Sequence, residues 1–145
     1  GKMREPLEKE YFETHTRPNL GWGMEYFGEV SHADKVSLLQ NARATLFPIS
    51  WEEPFGLVMV ESMACGTPVI ATRWGAVPEV IEHGRSGIIV DDPAEMIGSI
   101  VEADRLDPRE CRRYVEERFS PERMVRDYED AYRRVMERTA TAQQV

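Results

Sequence analysis

Glu53-Pro54-Phe55-Gly56-Leu57-Val58-Met59-Val60-Glu61 is the stretch whose reading decides the fold. A carboxylate precedes a Pro-Phe-Gly turn, an apolar helix-forming run follows, and a second carboxylate lies about two turns in. Residues 56–64 read as a helix that is apolar almost all round, hence buried, and Gly66 stops it. Immediately upstream, residues 44–49 (ATLFPI) form a short apolar strand. Downstream, residues 69–72 (VIAT) are the next strand, residues 78–82 a short helix ending at His83-Gly84, and residues 87–90 (GIIV) a further strand closed by Asp91-Asp92-Pro93.

Farther out the signals are weaker. Residues 25–28 are a short strand candidate, and residues 5–12 have helical character that Pro18 ends. Ser31 is a good N-cap with Asp34 three residues on, and Val36, Leu38, Leu39 and Ala42 give a helical stripe. Three helices close the chain, over residues 94–103, 108–118 and 121–138, and residues 139–145 read as a frayed tail. Met124, Val125, Tyr128, Ala131, Tyr132, Val135 and Met136 form a stripe read as core. About four strands alternating with helices imply an α/β fold, a Rossmann-like doubly wound parallel sheet with C-terminal helices.

The 145 residues suffice for one domain with a core. With 18 basic and 26 acidic residues the net charge is −8, which disfavours nucleic acid and anionic membranes as partners. An anionic ligand therefore needs a local seat. Cys65 and Cys111 lack metal-ligand or redox spacing and read as free thiols of a reducing, cytoplasmic compartment. No apolar run approaches the ~20 residues of a membrane span.

In a doubly wound sheet, ligands bind beyond the carboxyl ends of the strands. The loop of residues 50–56 lies at such an end, and its helix presents free N–H groups and a positive dipole end to an anion. Glu61, five residues past Gly56, lies about 7.5 Å along the axis with its side chain leaning back. A diphosphate capping the helix would place a ribose near Glu61 and leave Glu53 on the far side of the diphosphate. An acid at Glu61 interrupts an apolar run, which is costly unless it has a partner.

EPFGLVMVESMACGTPVIAT followed by GAVPEVIEHGRSGIIVDD resembles the C-terminal donor-binding domain of retaining glycosyltransferases of family 4, which have the two-domain GT-B fold. The E-x7-E motif is matched by Glu53 and Glu61, and the similarity runs from about residue 25 to residue 93. The resemblance implies transfer of a sugar from a nucleotide diphosphate sugar with retention at the anomeric carbon. It implies that Glu53 contacts the donor sugar at the reaction centre, as the catalytic residue. It assigns backbone amides of Phe55, Gly56 and Leu57 to sugar hydroxyls and diphosphate, Glu61 to the ribose, and backbone at Val30 to the base. No metal and no other cofactor is implied, and no Asp-x-Asp occurs.

The same resemblance implies that residues 1–145 are a truncated nucleotide-sugar-binding domain. The acceptor-binding N-terminal domain is expected to be absent, together with the basic residues that clamp the diphosphate, and because the family's last helix packs partly on that domain some of the stripe of residues 124–136 is expected to be exposed. Gly1-Lys2 would be the remnant of a strand. Two strands between those at Tyr26 and Leu46 are then missing, which suggests a homodimer through the unpaired sheet edge, and a chain inactive alone. A GT-B epimerase or phosphorylase relative and a non-catalytic nucleotide-sugar-binding module are the alternatives. Among other residues, His83 reads as helix-terminal, Trp51 as a donor-site wall or a packed anchor, and Arg73 and Arg85 as solvated surface. Glu79 reads as a cap or a pocket residue.

Overall fold

The computed structural model describes Met3 and residues 5–142, with side chains as far as residue 139. It divides into two units, Gly1–Leu38 and Leu39–Val145.

In the first unit, α1 (Pro6–Tyr11) starts with the Glu5 backbone N–H donating to the Glu8 carboxylate at 3.0 Å. The helical path does end at Pro18, in a last turn that closes at Asn19. After α1 the chain runs through a π-turn segment (Phe12–Thr16) into this 3₁₀ turn (Arg17–Asn19). Pro18 sits early in that turn, where its missing N–H is not needed. The strand expected at residues 25–28 does not form. Tyr26 instead packs its ring on Phe12, with centroids 4.6 Å apart, and Gly28 takes a φ of +63° that breaks any extended run. The Gly1-Lys2 remnant lies outside the described residues. Helix α2 (His32–Asn41) begins as expected: the Asp34 N–H donates to Ser31 Oγ at 3.2 Å, and the Ser31 hydroxyl donates to the Asp34 carboxylate at 2.6 Å.

The second unit contains the sheet, which has three parallel strands among the described residues, not four, in the order β1-β2-β3. They are β1 (Thr45–Phe47), β2 (Val69–Thr72) and β3 (Gly87–Val90), with Leu46 opposite Ile70 and Ile70 opposite Ile88. Parallel neighbours require crossovers. Helix α3 (Leu57–Ala64) returns the chain from β1 to β2, and α4 (Val77–Val80) from β2 to β3.

Two apolar layers cover the sheet, which is why β2 and β3 read as unbroken apolar runs. On one face Val69, Ala71 and Ile89 pack with Met59 and Met63 of α3, Val77 and Val80 of α4, and Cys111, Tyr114 and Val115 of α6 (Pro108–Arg118). On the other, Ile70, Ile88 and Val90 meet Met96 and Ala103 of α5 (Met96–Ala103). Fully burying each such aliphatic side chain stabilises the unit by about 1.5–3 kcal/mol. Helix α3 is thus buried along one stripe only: Leu57 is 69% exposed.

The last helix, α7 (Pro121–Ala142), runs four residues beyond the expected end, so the fraying expected from residue 139 does not begin there. Residues 143–145 lie outside the described residues. Its stripe is not core: Val125 is 52% exposed and Met136 70%, and only Ala131 is half-buried.

Candidate functional site

The loop between β1 and α3 is held to the end of β2 before it reaches Glu53. The buried Thr72 hydroxyl donates to the Ile49 carbonyl, and the Ile49 side chain is itself in the core. Farther on, the Ala76 N–H donates to the Glu53 carbonyl at 2.9 Å. Gly75 lies directly against this backbone. Its φ is +52°, and a Cβ there would stand 2.4 Å from both the N and the O of Glu53, an approach only glycine permits.

The Glu53 carboxylate is fixed from two sides. Oε1 accepts from the Gly56 N–H at 3.2 Å, and Oε2 accepts from the Trp51 indole Nε1–H at 3.1 Å. Gly56 takes φ +75° and ψ +65° to turn the chain into α3, and a Cβ there would meet the Met59 methyl at 2.5 Å. The N–H groups of Leu57 and Val58 then open the helix without intrahelical acceptors. They and the dipole make this end attractive to an anion.

Glu61 is half-buried in the second turn of α3, about 6 Å along the axis from Leu57. Its neighbour Ser62 sets the rotation of the helix. The Ser62 hydroxyl gives its proton to the Thr67 carbonyl at 2.9 Å and so accepts from the Thr45 hydroxyl at 2.8 Å. Phe55 makes an edge contact with Phe119, with centroids 5.8 Å apart. Beside it an apolar groove opens between the start of α3 and the start of α7, lined by Leu57, Val60, Met124 and Tyr128.

The structure thus gathers Glu53, Phe55, Gly56, Leu57 and Glu61 around one loop and the helix it opens. Val30 lies in the first unit, just before α2. Arg118 lines the groove beside Phe55 and lies over the Tyr114 ring, 5.3 Å from its centroid, while the two arginines singled out in the sequence pair with carboxylates. Arg73 Nε pairs with Asp91 at 2.6 Å, and Arg85 meets Glu82, Glu117 and Glu110 at 3.1, 3.5 and 3.6 Å. The Glu82 hydrogen bond, the largest influence, helps raise the Arg85 pKa. The His83 ring is a structural anchor: its Nδ1 accepts from the Ile89 N–H at 3.0 Å. The site residues missed by sequence reasoning are Thr72 and the pair Gly75 and Ala76. The Gly75-Ala76 turn is conspicuous in the sequence, but its seat under Glu53 joins two strand ends that local periodicity does not connect.

Residues 4–118 match the family described as Glycosyl transferases group 1. The chain belongs to this family. It is 37% identical over 107 residues to N-acetyl-alpha-D-glucosaminyl L-malate synthase of Bacillus anthracis, covering 68% of this chain and 28% of that protein. It is 48% identical over 62 residues to D-inositol 3-phosphate glycosyltransferase of Corynebacterium jeikeium, covering 39% of this chain and 15% of that one. Among solved structures, sucrose-phosphate synthase of Thermosynechococcus elongatus superposes with a TM-score of 0.71 at 26% identity, over 90% of this chain and 35% of that one. Anabaena HepE in complex with UDP-glucose superposes with a TM-score of 0.65 at 26% identity, over 77% and 32%. This group 1 glycosyltransferase chain therefore has a GT-B-type α/β architecture and spans about a third or less of the proteins it matches. Among its described residues no helix is long and apolar enough to cross a membrane.

Proposed function

We propose that this chain is the donor-binding part of a retaining glycosyltransferase that moves a sugar from a nucleotide diphosphate sugar to an acceptor. The observation that carries this reading is the anchored Glu53 carboxylate beside the open N-terminus of α3, at the carboxyl ends of β1 and β2. In the proposed complex backbone N–H groups at Phe55, Gly56 and Leu57 meet the diphosphate and the sugar hydroxyls, the Gly56 N–H shared with the Glu53 carboxylate. Glu53 meets the donor sugar and Glu61 the ribose hydroxyls. The UDP-glucose bound by HepE supports a nucleotide sugar as donor. No metal is required, because backbone dipoles hold the diphosphate.

Calorimetric titration with uridine, guanosine and adenosine diphosphates and their sugars, in the presence of EDTA, tests the reading. Glu61→Ala is expected to weaken the best-bound ligand by about tenfold or more, a change of about 1.4 kcal/mol. Binding that Glu61→Ala leaves untouched would place the nucleotide elsewhere. Turnover by this chain alone is expected to be negligible, since acceptor binding is assigned to a domain outside it. Detectable transfer would overturn that part.

A homodimer through the sheet edge belongs to the same reading, because β1 is an edge strand of the three-stranded sheet. Sedimentation velocity over a concentration series is expected to show a dimer. A monomer at every concentration would rule it out.

A further inference from the structure

We propose that Trp51 is a positioning residue that fixes the orientation of the Glu53 carboxylate for the donor sugar, with Gly75 and Ala76 holding the backbone beneath. This rests on the donor reading of the site. A carboxylate on an exposed loop samples several rotamers, each presenting its lone pairs differently. Here each Glu53 oxygen has one protein donor, Gly56 N–H on Oε1 and Trp51 Nε1–H on Oε2. An ionised carboxylate has about four acceptor positions, so each oxygen retains a lone pair for a hydroxyl. The carboxylate plane is therefore set, and it suits a pair of adjacent sugar hydroxyls. The backbone cannot drift either: Ala76 N–H holds the Glu53 carbonyl at 2.9 Å, and Gly75 fills the space below it. The Trp51 ring is 56% exposed, so it is the indole hydrogen bond and not burial that ties it to Glu53.

Trp51→Phe keeps an aromatic ring but removes the indole N–H, and the exposed site predicts a folded variant. It is expected to weaken the nucleotide sugar by about fivefold, the equivalent of one hydrogen bond of about 1 kcal/mol, and the matching nucleoside diphosphate by less than about twofold. In a Glu53→Ala background the same change is expected to add less than about twofold, because Trp51 acts through Glu53. Equal losses for both ligands, or an undiminished loss without Glu53, would overturn the proposal and leave the donor site standing. The contact is also read without any ligand. In ¹H–¹⁵N spectra Glu53→Ala is expected to move the Trp51 indole resonance and leave those of Trp22 and Trp74 in place. An unmoved Trp51 resonance overturns the proposal directly. No binding of any nucleotide by the unsubstituted chain would remove the donor reading and this proposal with it.

Discussion

Cys111 is fully buried on α6, with its sulfur 3.8 Å from the Arg85 carbonyl oxygen and 3.7 Å from that of Ser86. Burial is the main cause that pushes its thiol pKa up from 9.0 to about 11. The sign follows from which state holds the proton more tightly. Folded Cys111 keeps its proton at a pH where the unfolded chain has lost it. Its contribution to stability is complete below about pH 9 and is lost as the pH rises toward 11. Two pH units correspond to about 2–3 kcal/mol of order-of-magnitude effect. Urea unfolding at pH 8 and at pH 10.5 is expected to show that loss, and Cys111→Ala is expected to flatten most of it. Tyr114, on the same helix, also has a pKa raised mainly by burial, so a residual slope in the variant is expected. An identical slope in both chains would show that the thiol is not the group responsible.

Helix α7 shows how an element can look like core and yet be solvated. Its apolar residues recur at helical spacing, but Tyr128, Tyr132 and Val135 are 57, 64 and 61% exposed. What holds the helix is its other face: Arg123 pairs with Asp127 at 2.9 Å, and Arg133 with Glu129 at 3.2 Å and Asp130 at 2.9 Å. Each such pair adds about 0.2–0.5 kcal/mol to helix formation. Tyr132→Lys combined with Val135→Lys is expected to leave the unfolding free energy within about 0.5 kcal/mol of the parent chain, measured by urea denaturation. A loss of more than about 2 kcal/mol would mean that the face is buried in solution. Periodicity reports amphipathicity and not which partner covers the apolar side. By contrast β2 and β3 were legible to the residue, because burial on both faces leaves no charged position to blur their bounds. Tyr26 and Phe27 imitate a strand in the sequence, but Gly28 turns the backbone and the Tyr26 ring finds Phe12 instead. At the site, Glu53, Gly56 and Glu61 were legible because their order along the chain is their order in space. The indole hydrogen bond of Trp51 and the seat of Gly75 were not, because each depends on how one loop folds over another.

At the scale of the whole molecule, family, fold and ligand chemistry meet in one question of charge. The chain carries eight more acidic than basic residues. Arg73, at the carboxyl end of β2, is already matched by Asp91, and Arg118, beside Phe55 and Leu57, lies over the Tyr114 ring. In the proposed complex a diphosphate is therefore held by backbone N–H groups whose attraction fades within a turn of the helix, while the net charge acts over a longer distance. The two act at different stages of the encounter. Most anion-binding proteins draw their ligands in by a long-range field and lose speed as salt screens it. This chain is expected to behave in the opposite way: raising ionic strength screens repulsion first. In stopped-flow measurements the association rate for a nucleoside diphosphate is expected to rise between about 0.01 and 0.15 M salt, as the Debye length falls from about 30 to 8 Å, while the dissociation rate changes little. A rate that falls with salt would point to a steering cation that the paired arginines do not supply. An anion seat made of backbone thus separates capture from retention: the net charge sets how quickly the ligand arrives, and the geometry of nine residues, 53–61, sets how long it stays.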